Sequence, residues 1–194
     1  KNIMIPRFHN LQNSAGGDFL RGYGIFGGVG RHTIAENDPN RGGPDEVPFT
    51  LVAYGEMLPR PENRVTIRTN EVDAWGIPTL NIECSLAANE HAMRAHMVAS
   101  ITEMVTAAGG RVPGNPHLFA PGAFVHEVGT ARIGASAQDS VLNSHAQVWD
   151  CPNVFVMDGA ACTTSAWQNP TFTMMAVAGR ASEHLATELK AGRI

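Results

Sequence analysis

Polar and apolar side chains alternate over residues 63–69, Asn-Arg-Val-Thr-Ile-Arg-Thr, and again over residues 79–84, Thr-Leu-Asn-Ile-Glu-Cys. A period of two belongs to a strand with one face buried. Residues 49–55, Phe-Thr-Leu-Val-Ala-Tyr-Gly, read as another short strand, within a β-rich, glycine-punctuated stretch over residues 1–60. Turn residues separate the three: Pro59, Pro61 and Asn63, then Asn70 to Pro78. Short connections predict an antiparallel meander of these three strands, solvated on one face. The period then lengthens. Met93, Met97, Ile101, Met104, Val105 and Ala108 share one stripe of a helix over residues 87–108, with Gly109-Gly110 as its stop. Methionines can make a soft binding surface, but helical spacing alone accounts for these as core. Residues 111–150 show no period and read mostly as loop. The apolar run Asn153-Val-Phe-Val-Met157, ending at Asp158-Gly159, predicts a buried strand that stops at a turn. Beyond the small residues 160–166, Asn169-Pro170 offers an N-cap followed by proline at the first helical position. That helix runs to about Leu189, with Phe172, Met175, Gly179, Leu185 and Leu189 on or near one face.

Composition narrows the function classes. The chain of 194 residues holds one domain, or one and part of another, and its 43% apolar and 16% charged residues exclude disorder. A net charge of −4 and a pI near 6.0 give no basic footprint for nucleic acid. No stretch approaches 18 consecutive apolar residues, so no membrane span is expected. Cys84, Cys151 and Cys162 are odd in number and lack C-x-x-C spacing, which points away from a disulfide framework or a zinc site. The chain starts at Lys1 and enters an apolar run at Ile3-Met4-Ile5 without a signal-peptide pattern. On that pattern the compartment stays open and leans cytoplasmic. The start also reads as that of a piece of something larger or of a processed subunit.

The motifs differ in weight. Gly22-Tyr-Gly24-Ile-Phe-Gly27 matches the G-x-G-x-x-G dinucleotide fingerprint, yet no helical period opens at its third glycine. It is better read as a glycine-rich strand in close backbone contact. His91 and His96 are five apart, about 500° of helical rotation, so they do not form the i, i+4 zinc pair. His9, His32, His117, His145 and His184 show no partner in sequence, and no Gly-x-Ser-x-Gly elbow supports a serine hydrolase. The informative stretch is His126-Glu-Val-Gly129-Thr130-Ala-Arg132-Ile-Gly134, a histidine in a glycine-bearing turn. Strand-end Asp158-Gly159 and helix-start Asn169-Pro170 follow it. An imidazole and an amide delivered by loops beside a helix N-terminus could bind an alcohol oxygen and remove its proton; satisfied loop residues are the alternative.

These residues resemble the C-terminal end of the glucose–methanol–choline family of FAD-dependent oxidoreductases. His126, Gly129-Thr130 and Arg132-Ile133-Gly134 match its histidine motif, with Ile133 in place of the usual methionine. Residues 153–159 and Asn169-Pro170-Thr171, with Thr173 and Arg180, match its closing block. Asparagine at the second catalytic position is similar to the pyranose oxidase branch and to bacterial sugar and glycoside oxidases or dehydrogenases. Residues 5–8, 18–23 and 55–61 resemble the substrate-domain half of those sugar enzymes.

The resemblance implies an α+β fold. Residues 1–150 would be an antiparallel-sheet substrate-binding domain with flanking helices. Residues 151–194 would be the strand, turn and helix that complete a Rossmann-like FAD-binding domain. It implies FAD as cofactor, oxidation of a secondary hydroxyl of a sugar or glycoside, His126 as general base and Asn169 as hydrogen-bond donor. Asp158 and Gly159 would lie along the ribityl–phosphate region, and Asn169, Pro170 and Thr171 beside the isoalloxazine. The family's N-terminal fingerprint is absent from this sequence, so the resemblance implies a further chain or segment carrying it. It also implies an electron acceptor, oxygen or another, and an oligomeric assembly. A side chain spent capping the helix could not also reach substrate, so Asn169 has two mutually exclusive roles. The rival reading is a non-catalytic carbohydrate-binding or scaffolding subunit that retained the fold.

Overall fold

The computed structural model describes residues 2–7, 18–29, 47, 49–112, 116–123 and 125–194. The fold is α+β, with antiparallel sheets and two long helices. Of the histidines considered above, His9 and His32 lie outside the described residues. The chain groups into two compact units.

The first unit comprises Lys1–Glu56, Leu86–Phe119 and Ala166–Gln168. Its sheet is a three-stranded meander of β1 (Asn2–Arg7), β2 (Tyr23–Val29) and β3 (Phe49–Gly55), with Ile5, Ile25 and Ala53 in register. The meander expected of residues 49–55, 63–69 and 79–84 is therefore corrected: β3 belongs with β1 and β2. The Glu56 N–H still bonds the Gly22 carbonyl at 3.2 Å, after which Pro59 and Pro61 have no N–H to extend the ladder. Gly24 and Gly27 sit inside β2, so the G-x-G-x-x-G string is a strand and not a turn opening a helix.

Helix α1 (Ala88–Ala107) packs on this sheet through Met93 and Met97, which form a core with Phe19, Tyr23 and Ile25. The methionine stripe is thus core, as its spacing predicts. The Glu90 carboxylate accepts the Ala87 N–H at 2.9 Å, one half of a capping box, since alanine has no side-chain acceptor to return. At the other end Gly109, at φ +77°, donates to Thr106, and Gly110 donates to Val105 at 2.8 Å. That is a Schellman stop, and only glycine takes the left-handed position without strain. His96 Nδ1 lies 2.8 Å from the hydroxyl of fully buried Tyr23, which donates to Ser100 Oγ at 2.8 Å.

The second unit comprises Met57–Ser85, Ala120–Ser165 and Asn169–Ile194. In it β4 (Arg64–Val72) and β5 (Pro78–Glu83) form a hairpin whose turn is tied by Asp73, accepting N–H bonds from Trp75 and Ile77 at 2.8 and 3.0 Å. Alternation holds here: Val65 faces Ile82 and Ile67 faces Leu80, while Arg64 pairs with Glu83 at 2.8 Å on the opposite face. The apolar face is nonetheless exposed, Ile82 at 70%.

The unit's core is Leu142, Ala146, Ala161 and Ala181, with Ile133, Val148, Val156 and Met157 against it. Strand β7 (Cys151–Phe155) pairs antiparallel with the two-residue β6 (Gln147–Val148). The buried strand expected at residues 153–157 is therefore corrected. Pairing ends at Phe155 and Val154 is 43% exposed, because β6 is too short to give the run neighbours along its length.

Helix α2 (Thr171–Lys190) ends on a second glycine stop, with Arg193 N–H donating to the Glu188 carbonyl at 3.0 Å. The Arg193 guanidinium grips the Glu188 carboxylate at 2.6 Å and holds its carboxyl below the ordinary range. The packed side of α2 is also not the expected one. Ala181 is buried and Met174, Val177, Ala178 and Leu185 half-buried, whereas Phe172, Met175 and Leu189 are exposed. Apolar residues occupy two sides of this helix, and periodicity alone does not tell which side faces the core.

Candidate active site

The histidine motif is locked by backbone hydrogen bonds. Ala131 N–H donates to the Ala160 carbonyl at 3.0 Å and Ile133 N–H to the Ala161 carbonyl at 2.9 Å. Leu142 N–H returns to the Arg132 carbonyl at 3.1 Å. Residues 131–133 thus run beside residues 160–161 as an added edge, and Ile133, filling the methionine position, packs against the core. Arg132 spends its guanidinium on the Asp139 carbonyl at 2.5 Å, closing the loop that follows.

The turn between His126 and this edge depends on Gly129, at φ +95°, with the Thr163 carbonyl 3.5 Å from where a Cβ would sit. An L side chain is strained there, so Gly129→Ala is expected to cost about 1–2 kcal/mol. A fall in the denaturant midpoint at unchanged m-value checks this.

Asp158 ends the strand segment and caps a single 3₁₀ turn (Gly159–Ala161), its Oδ1 accepting the Ala160 N–H at 2.8 Å. Its other carboxylate oxygen has no hydrogen bond among the described residues. Gly159 is buried, and a Cβ on it would come within 2.8 Å of Met174 Cε and 3.0 Å of the Glu127 carbonyl. Glycine is what lets the turn nest between the histidine loop and the first turns of α2.

An open groove of about 260 Å³ runs over this nest, lined by Glu127, Val128, Thr130, Asp158, Gly159, Ala160 and Met174. It brings together the residues that follow His126 and the strand-end Asp158-Gly159. His126 itself is half-buried and Asn169 and Thr171 are exposed; none of these three lines the groove, nor does Pro170. Met174 and Val128 were not singled out from sequence, where they read only as apolar filler.

The structure decides how α2 begins. Its N-cap is Pro170, whose carbonyl accepts the Met174 N–H at 3.0 Å, and no side chain caps the helix. The N-cap expected at Asn169 is corrected to the residue after it, and proline stands at the cap itself instead of inside the helix. The Asn169 side chain has no hydrogen bond among the described residues. The first-turn N–H groups of α2 keep their partial positive charge, with no acidic residue among them to offset it. A free carboxylate oxygen, a threonine at the groove edge and an uncapped helix start suit an extended ligand bearing hydroxyls and negative charge. Among the described residues no cluster of histidine, cysteine, aspartate or glutamate could hold a metal ion.

Residues 59–178, more than half of the chain, match the family model of GMC oxidoreductase. The chain belongs to the GMC oxidoreductase family. The GMC match takes in His126, Asp158, Gly159, Asn169, Pro170 and Thr171. The chain is 34% identical over 132 residues to the 2-methyl-1,2-propanediol dehydrogenase of Mycolicibacterium austroafricanum, covering 68% of this chain and 24% of that protein. It is 30% identical over 160 residues to the C-glycoside 3-oxidase of Arthrobacter globiformis, covering 80% and 30%. It is also 30% identical over 142 residues to the pyranose 2-oxidase of Lyophyllum shimeji, covering 72% and 23%. The matched part of this GMC chain thus amounts to no more than 30% of the length of any of these three relatives. No helix among the described residues is long and apolar enough to cross a membrane.

Proposed function

We propose that this chain supplies the catalytic residues for flavin-dependent oxidation of a secondary hydroxyl on a sugar or glycoside. The observation that carries the reading is the groove lined by the residues that follow His126, by Asp158-Gly159 and by Met174 of α2. FAD, when bound, supplies the hydride acceptor. His126 takes the hydroxyl proton, a task for which imidazole is the side chain suited near neutral pH. Asn169, free of any capping role, donates a hydrogen bond to the alcohol oxygen and opposes its growing negative charge. Asp158 and Gly159 hold the ribityl–phosphate part: the free carboxylate oxygen can accept from ribityl hydroxyls, and buried Gly159 keeps the turn low. Asn169, Pro170 and Thr171 border the isoalloxazine, where the helix start favours negative charge.

Residues 1–150 serve the substrate and residues 151–194 complete the cofactor domain, the remainder coming from a chain or segment with the dinucleotide fingerprint. The outer side of α2 supports that completion. Phe172 is 86% exposed, and a Cβ on Gly179 would meet nothing within 4 Å. A mid-helix glycine costs about 1 kcal/mol relative to alanine, and close approach by another backbone would explain it. The exposed edge of β7 supports it likewise. An electron acceptor, oxygen or another, and an oligomeric assembly would complete the reaction. The non-catalytic carbohydrate-binding alternative gives no reason for the loop after His126 and Asp158-Gly159 to line one groove.

Purification of the native particle, with intact mass and a visible spectrum, tests this reading. The expected result is flavin absorption together with polypeptide beyond the 20.7 kDa of this chain. A lone chain of this mass that folds and holds FAD would overturn the completion, and a particle without flavin would overturn the cofactor.

A further inference from the structure

On β2, Tyr23 and Ile25 enter the core with Met93 and Met97, so Gly24 and Phe26 face the other side of the sheet. The Trp167 ring lies directly on Gly24: a β-carbon there would come within 2.2 Å of Trp167 Cε3. Any larger residue at position 24 would lift the ring off the strand. Trp167 meets Phe26 at 5.8 Å between centroids, and Phe26 meets Tyr54 edge to face at 5.4 Å and 84°. Tyr54 is in turn the register partner of Gly24. Beside Phe26 and Tyr54 opens a cavity of about 290 Å³, completed by Ile3, Gly27 and Val52 and without a charged lining residue. Along the chain, Trp167 stands two residues before Asn169.

We propose that this aromatic face is a subsite that stacks the C–H face of a pyranose ring, with Trp167, seated on Gly24, as its positioning residue. The inference rests on the sugar reading above. A pyranose presents C–H groups on its faces and hydroxyls around its rim, so aromatic rings match the face and no charge is needed. A small aliphatic diol has no ring to stack. The face therefore selects sugar over diol, a choice that proton abstraction by His126 and donation by Asn169 leave open.

Phe26→Leu, which keeps apolar volume and removes the ring, tests the subsite in the complete flavoprotein. D-glucose, methyl β-D-glucopyranoside and 1,2-propanediol are the probes, and flavin content and melting temperature report folding. The expected result is a KM for the pyranoses raised about tenfold with kcat nearly unchanged, and an unaltered KM for 1,2-propanediol. Gly24→Ala should act in the same direction by displacing Trp167. Pyranose oxidation with an unchanged KM in Phe26→Leu, or equal changes for pyranoses and diol, overturns the subsite while leaving the sugar reading intact. A wild-type protein whose flavin none of the pyranoses reduces overturns both.

Discussion

His126→Ala in the complete flavoprotein is expected to lower turnover by about 10²–10⁴-fold while flavin content stays at the wild-type level, the scale of losing a general base. The position of the residue supports the split between activity and binding. His126 lies ahead of the backbone bonds from Ala131 and Ile133 to Ala160 and Ala161, and its ring joins neither them nor the groove lining. Removing the imidazole leaves the Gly129 turn and the 160–161 edge in place. Added imidazole should restore part of the lost rate, because a base that acts only on a proton can be supplied from solution. Unchanged turnover would remove His126 from the mechanism. Lost flavin would instead make it part of the cofactor site.

Asn169→Asp is expected to lose turnover by roughly 10²-fold or more with the melting temperature and flavin content unchanged, comparable to removing one oxyanion donor. Pro170 provides the cap, so no helix-end hydrogen bond depends on the Asn169 amide. A carboxylate just before a helix is electrostatically tolerated at the positive end of the dipole. At the substrate it fails, because an ionised carboxylate only accepts hydrogen bonds and adds negative charge where negative charge builds. Steady-state rates and thermal melts of the same preparation read both effects. Full activity would place the second catalytic group elsewhere.

Local rules explain which parts of the molecule were legible. Helix α1 was readable to within a residue because its stripe, its Schellman glycines and its burial all agree. β4 and β5 were readable as strands from their alternation, but their sheet was not, since pairing partners depend on where prolines end a ladder. β2 was readable as a glycine-rich strand in close contact, but not what it contacts, since Gly24 answers to Trp167, far along the chain. The two apolar sides of α2 made its packed face unreadable. Of the local features, the Asp158-Gly159 strand end followed from its turn chemistry and the turn after His126 from Gly129. The cap did not, because Asn-Pro is compatible with a helix starting at either residue, and only the Met174-to-Pro170 bond decides.

Anaerobic single-turnover mixing of the flavin-loaded complete protein with D-glucose tests the central claim most directly. The account predicts that the flavin's visible absorption bleaches in the wild type and bleaches at least about a hundredfold more slowly in His126→Ala. Flavin that stays oxidised in the wild type with every pyranose tried, or that bleaches at the same rate in both proteins, would contradict it.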